Sequence, residues 1–398
     1  MAGIYIHIPF CSQYCTYCNF YSVKQLGLRE RFVEALCYEA FAKRDFFKET
    51  VVQREFSDNT GSSITTLYIG GGTPSVLSLQ QLERIITSIK RTFGLVESVI
   101  EEFTIEVNPN DVTPEFASGL VALGVNRVSM GVQSFKDEHL VWMNRRHNAA
   151  EGANAVKILR EAGINNISID LISGFELLSD EDWVHNINTA ISLRPQHISA
   201  YQMSIEPGSA LGAMARRGDY KGLSDEKCEA QYRILQQLLA DGGYDQYEIS
   251  NFALHSEDGR YKSKHNSSYW EGVPYLGLGP AAHSYTGIKR EWNNPSVKRY
   301  CEYYNASASE SDIATSGVKV GGFEELTVTD IFNESIMLGL RKCAGFSLDT
   351  LDRELLCEIE GDIASLVRRG LLVREGCNIR IPSDKLFVSD SIIRELFL

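Results

Sequence analysis

No apolar run in this 398-residue chain approaches the ~20 residues that a helix needs to cross a bilayer. The first residues lack the charged n-region of a secretory signal and run directly into an apolar stretch at residues 4–8, so a cytoplasmic location is expected. Positive charge is short: 39 Lys and Arg face 52 Asp and Glu, a net charge of −13. Such a surface argues against nucleic acid as a partner. Arg145, Arg146 and His147 are a candidate local basic pocket, or else a solvated face. Internal repeats and low-complexity segments are missing, and so is any pairing rhythm among the nine cysteines. Six of these (Cys37, Cys228, Cys301, Cys343, Cys357 and Cys377) are scattered, and most of them read as small buried hydrophobes in a reducing compartment.

Hydrophobic content of 43% and charged content of 23% are ordinary for a globular protein, and the length allows a large domain with a smaller one. The other three thiols, Cys11, Cys15 and Cys18, fall within eight residues at C-x3-C-x2-C. Thiolates suit zinc, copper(I) or iron–sulfur clusters. A structural zinc usually wants four closed ligands, and position 20, where a fourth cysteine might sit, is Phe20. A cubane cluster held by three thiolates leaves one iron open to a ligand that is not protein.

Strand and helix patterns alternate along the chain. Strands are expected over residues 4–8, 65–69, 103–107, 127–131, 167–172 and 197–201. The helices between them start at good caps: Ser78 with Gln81, Thr113 before Pro114, and Ser179 with Asp182. The first helix is expected over 30–47, and polar 51–63 as a loop. Six such units predict an α/β fold, a partial (β/α)6 barrel with an open side, whose site lies at the C-terminal strand ends. Segment boundaries are expected at 1–243 for this core, 244–316 for an extension with a small polar linker at 307–316, and 317–398 for a C-terminal α+β module. That module reads as winged-helix-like, with helices over 331–340, 348–356 and 362–369 and a hairpin from 370–373 and 379–381.

Several motifs end or follow these strands. Gly70-Gly71-Gly72-Thr73-Pro74 lets backbone approach a ligand closely. Glu106, Gln133, Arg145 and Asp170 bring polar groups to the same end, where each is either a ligand contact or a partner in a structural hydrogen bond or ion pair. Downstream, His265, Asn266, Tyr269 and Trp270 suit a flat aromatic ligand if exposed, or form a satisfied loop motif. Together YIHIPFC-x3-C-x-Y-C, GGGTPS, ExNP, NRVSMGVQSF, HISAYQMSIEPGS, HNxxYW and YLGLGPAAHS resemble the HemN/HemW group of radical S-adenosylmethionine (SAM) proteins.

The resemblance implies a [4Fe-4S] cluster on Cys11, Cys15 and Cys18. It implies SAM contacts from Tyr5, Tyr17, Gly71, Gly72, Thr73, Glu106, Gln133, Arg145, Asp170 and Ser204, and haem contacts from His265 and Tyr269. Within the group, oxygen-independent coproporphyrinogen III oxidases carry a long N-terminal extension and a fourth cysteine two residues after the third. Here Phe20, HNSSYW and a start four residues before Tyr5 look like the haem-chaperone branch. That branch implies haem binding and delivery to apo-haemoproteins, and is compatible with a membrane-associated recipient and a homodimer. Porphyrinogen oxidation is the alternative, and a non-redox zinc scaffold a second. One departure stands out: a Gly-Leu-Pro turn is replaced by Gly174-Phe175-Glu176, next to the expected site.

Overall fold

The computed structural model describes residues 2–48, 64–96, 100–306 and 320–398. The loop expected over 51–63 and the linker over 307–316 lie outside them.

The sequence IYIHI sets the architecture. In β1 (Ala2–Ile8) alternate side chains face opposite ways. Ile4, Ile6 and Ile8 are fully buried in one core with Phe32, Val33 and Leu36 of α1 (Arg29–Ala42). Tyr5 and His7 face the concave inner side. The pattern repeats through β2 (Ile64–Gly71), β3 (Glu102–Val107), β4 (Arg127–Gln133), β5 (Asn166–Ser173) and β6 (His197–Gln202). These six strands lie parallel and in chain order. Between them run α2 (Leu79–Thr92), α3 (Pro114–Ala122), α4 (Asp137–Trp142), α5 (Ala149–Glu161) and α6 (Asp180–Ser192). The caps act as the sequence implies: Ser78 and Gln81 form a reciprocal box, and Thr113 and Ser179 accept from the third residue on.

The sheet does not stop at six strands. After α7 (Ala210–Arg217) and α8 (Asp225–Asp241), β7 (Tyr244–Gln246) and β8 (Asn251–Leu254) extend it antiparallel beyond β6. The chain then crosses through α9 (Lys264–Trp270), and β9 (Tyr275–Leu278) pairs parallel with β1. Beyond it come β10 (His283–Tyr285), β11 (Lys289–Asn293), α10 (Val297–Ala306) and β12 (Gly321–Glu325). The result is a twelve-stranded open sheet ending in β12 and β7, with no closed barrel among the described residues.

A second core runs from Phe332 to Leu396. It joins α11 (Val328–Arg341), the short β13 (Phe346–Ser347), α12 (Arg353–Arg368), the hairpin β14 (Val373–Glu375) and β15 (Asn378–Arg380), and α13 (Ser389–Arg394). The segment expected from 317 thus gives β12 to the large sheet before its own core begins.

Two helix boundaries differ from expectation. The first helix stops at Ala42, and Phe47 reaches the core through a separate 3-10 turn, which mimics a continued helical period. The two helices expected over 348–356 and 362–369 are a 3-10 turn and one helix. Asp352 caps that helix through the N–H groups of Glu354 and Leu355. Gly361 does not break it, because its cost of ~1 kcal/mol is outweighed by buried Ile359, Ile363 and Leu366.

One buried carboxylate ties the extension to the core. Glu39 of α1 is 0% exposed and accepts from Gly279 N at 2.8 Å, Asn293 Nδ2 at 2.7 Å and Tyr300 Oη at 2.5 Å. Glu39→Ala strands these donors and is expected to cost about 3 kcal/mol or more. Lys43→Ala, which removes only a partly exposed ion-pair partner of Glu39, should cost under ~1 kcal/mol. Thermal unfolding of both variants checks the difference.

Candidate functional site

A cavity of about 750 Å³ opens at the C-terminal ends of β1 to β6. The cysteine loop forms one wall, clamped at both ends. Cys11 N donates to Val23 O at 3.1 Å and Val23 N to Pro9 O at 2.8 Å. Thr16 N and Oγ1 donate to the carbonyls of Met143 and Trp142 at 3.1 and 3.0 Å. All three thiols line the cavity. Arg145 Nη1 donates to Cys15 Sγ at 3.3 Å, and Cys11 Sγ lies 3.3 Å from Thr73 Oγ1. Burial pushes the Cys18 thiol up to about 11. Among the described residues no three His, Cys, Asp or Glu side chains form a single-ion site. A cubane cluster places each thiolate on a different iron, so this spread of three thiols is the kind of donor set it takes.

The glycine run admits this loop as well as any ligand. Gly71 has φ +109°, and a Cβ on it would lie 2.6 Å from the His7 ring. Gly72 N donates to Ile8 O at 2.9 Å, and a Cβ there would lie 2.7 Å from Phe10 O and 3.1 Å from Cys11 Sγ.

Tyr17, Gly71, Gly72, Thr73, Glu106, Gln133, Arg145, Asp170 and Ser204 all line this cavity. Glu106 accepts from Tyr68 Oη at 2.8 Å and Gly71 N at 3.0 Å. Burial, opposed by the Tyr68 bond, raises its carboxyl to about 7. Asp170 accepts from Ser129 at 3.2 Å and Ser168 at 3.4 Å, and burial raises it to about 6. Gln133 sits at φ +69° at a register shift ending β4, an uncommon conformation of the kind found at ligand clamps. Arg145 Nη2 donates to Asn108 Oδ1 and Gly131 O, both at 2.5 Å, while its Nε is buried without a partner. Ser204 Oγ donates to Glu206 at 2.9 Å. Sequence reasoning passed over Tyr68, Arg127, Ser129 and Ser199, which also line the cavity, as do Asn108 of the ExNP motif and Asn266 of HNxxYW. Most are inward positions of the strand alternation, the signal that would have found them.

Tyr5 stands apart. Its Oη bonds His7 Nδ1 at 3.1 Å, and it lines a second cavity of about 440 Å³. His265 is not exposed as the flat-ligand reading required. It is 1% exposed, with Nδ1 2.8 Å from Thr66 Oγ1 and Nε2 2.8 Å from Tyr269 Oη. Its ring stacks on Tyr68 at 5.0 Å, and burial lowers its pKa to about 3, so it is neutral. The physical reason is Glu102, which accepts the N–H groups of Lys264 and His265 at 2.8 and 2.9 Å. This cap fixes α9 at the N-terminal strand ends, beside Gly3 and Thr66. The cysteines follow the other end of β1, about 16 Å away along the strand.

Two further expectations change. Arg145, Arg146 and His147 form no basic pocket: Arg146 pairs with Asp111 at 2.8 Å, and His147 Nε2 bonds Val132 O at 3.0 Å. Gly174, Phe175 and Glu176 do not line the main cavity. Phe175 is fully buried and stacks at 5.5 Å on Trp142, whose carbonyl holds Thr16 of the cysteine loop.

The open parallel sheet and three-thiol loop define a radical SAM protein, and the model of the Radical SAM superfamily matches residues 5–190. The chain is 33% identical to Heme chaperone HemW of Lactococcus lactis, over 99% of this chain and 96% of that protein. It is 34% identical to Heme chaperone HemW of Bacillus subtilis, over 87% and 85%. Among solved structures, coproporphyrinogen III oxidase (HemN) from Escherichia coli superposes with a TM-score of 0.76 at 22% identity, over 99% of this chain and 89% of that one, a likeness of fold. The chain belongs to the HemW family of radical SAM proteins. Radical SAM membership implies a [4Fe-4S] cluster and SAM, and the three thiols and the unpartnered Arg145 Nε are groups that fit them.

A close approach to backbone in this site is testable. Gly72→Ala forces a methyl against the Phe10 carbonyl, so it should reduce iron retained after anaerobic reconstitution while circular dichroism stays unchanged. Gly27→Ala, with nothing within 4 Å, is the control and should retain full iron.

Proposed function

We propose that this chain is a haem chaperone, which binds haem and delivers it to apo-haemoproteins. The observation that carries the reading is likeness to HemW proteins over nearly its whole length. In this reading Cys11, Cys15 and Cys18 hold the cluster. SAM occupies the main cavity, with its amino and carboxylate groups near Gly71, Gly72, Thr73 and Arg145. Its ribose and adenine lie among Tyr17, Glu106, Gln133, Asp170 and Ser204. Tyr5 and His265 are not contacts of that cavity. His265 acts on haem only through Tyr269, whose hydroxyl it holds. A cytoplasmic location accords with nine unpaired thiols.

Anaerobic reconstitution tests the function. With reductant, SAM and coproporphyrinogen III, no protoporphyrinogen should form, while haem should bind and pass to an apo-haemoprotein. Protoporphyrinogen formation would overturn the chaperone reading.

The SAM assignment has a pH signature. SAM offers an ammonium and hydroxyl donors, which favour ionised over protonated carboxyls. Glu106 titrates near 7 and Asp170 near 6. Affinity should be full at about pH 8 and fall as pH drops through both values. Glu106→Gln should remove the upper part of the fall. Calorimetric titration on cluster-loaded protein decides, and a flat profile in the parent protein would remove both carboxyls from SAM contact.

A further inference from the structure

The second cavity lies over the extension of the sheet, on β1, β9, β10 and β11, as the main cavity lies over β2 to β6. At about 440 Å³ it is within the range of small-molecule sites. Its walls are aromatic: Tyr5, Tyr21, Tyr269, Tyr275, Tyr285 and Phe20. Phe20 is 74% exposed, an unusual position for a large apolar ring beside a polar loop. With Asn19 it lines both cavities.

Two imidazoles face this space. His7 is committed, with Nδ1 on Tyr5 Oη at 3.1 Å and Nε2 on Tyr21 O at 2.9 Å. His283 differs. Among the described residues its ring nitrogens make no hydrogen bond, and its ring plane is set by stacking on Trp292 at 6.0 Å. Partial burial lowers its pKa, which favours the neutral form that binds metals. The turn that presents it is strained: Ala281, which also lines the cavity, has φ +64°. That turn is anchored by Gly279 N on buried Glu39. Arg290 is the one Lys or Arg among the lining residues, 2.8 Å from Glu334.

We propose that this aromatic cavity is the haem site, with His283 as the iron ligand and Phe20 covering a face of the macrocycle. The inference rests on the haem-binding reading above. A flat conjugated ring matches walls of tyrosine and phenylalanine, and an imidazole with free nitrogens is one of the ligands that haem iron takes from protein. Arg290 supplies a cation for a propionate at the rim. His265 becomes a positioning residue, orienting Tyr269 from the other side of the cavity wall.

Haem titration of the cluster-loaded full chain tests this, read by absorption spectrum and affinity. His283→Ala should lose the histidine-ligated spectrum and weaken haem about tenfold or more, with iron content and SAM affinity unchanged. Added imidazole should restore the spectrum, which a merely structural role would not allow. His283→Met should bind haem with a shifted spectrum. His265→Ala should weaken binding without changing the ligand signature. An unchanged spectrum and affinity in His283→Ala would overturn the site while leaving the chaperone reading intact. No haem binding by the parent protein would overturn both.

Discussion

A parallel strand whose one face packs on helices must send every second side chain inward. Here the inward residues are not apolar. Tyr5, His7, Thr66, Tyr68, Glu102, Glu106, Arg127, Ser129, Asp170, His197 and Ser199 occupy that face, most of them buried. Burying such groups unpaired costs several kcal/mol each. They are therefore paired laterally, strand to strand: Tyr68 with Glu106, Ser129 with Asp170, and Ser168 with His197. Arg127, 1% exposed, holds its Nε 3.9 Å from Glu102 Oε2, an ion pair without a hydrogen bond at that nitrogen. Near the C-terminal strand ends the pairing is left open: carboxyls sit at raised pKa and Arg145 Nε has no hydrogen-bond partner. An inner face of this kind is stable as a scaffold and unfinished as a site.

Glu102 shows how the same network shapes both cavities. It is the first residue of β3 and closes the N-terminus of α9 from below. That fixes His265 against Thr66 and Tyr68, Asn266 at the main cavity, and Tyr269 at the second. A seven-residue helix has little stability of its own. Its position depends on one buried carboxylate and on the N-cap Ser263. The HNSSYW motif is thus a brace between the two cavities, and its histidine is fully used in bracing.

Much of this was legible in the sequence where the signal is local. The caps at Ser78, Thr113 and Ser179, the glycine run and the cysteine spacing each act within a few residues. Contacts made across the chain left weaker traces. Nothing near Tyr275 announces that β9 pairs parallel with β1, some 270 residues earlier. Exposed and buried histidines look alike in sequence, and only Glu102, 163 positions from His265, decides between them. The apolar reading of residues 4–8 counts isoleucines and overlooks that Tyr5 and His7 alternate with them; the same oversight left Thr66, Tyr68, Arg127, Ser129 and Ser199 unread.

Phe20 gains its meaning from the same geometry. In sequence it marks a missing fourth thiolate. In the fold it stands with Asn19 where the two cavities meet, at the end of a loop whose thiols face one side and whose Tyr21 faces the other. Tyr21 Oη accepts from Val297 N at 2.8 Å and its carbonyl bonds His7, so the loop is rigid beyond that point. A ligand that shifts Asn19 and Phe20 from the main cavity must change the wall of the second. Such coupling is a free energy shared between sites and therefore acts equally in both directions. A cysteine at position 20 would offer a thiol to the metal side; phenylalanine instead offers both cavities one aromatic wall.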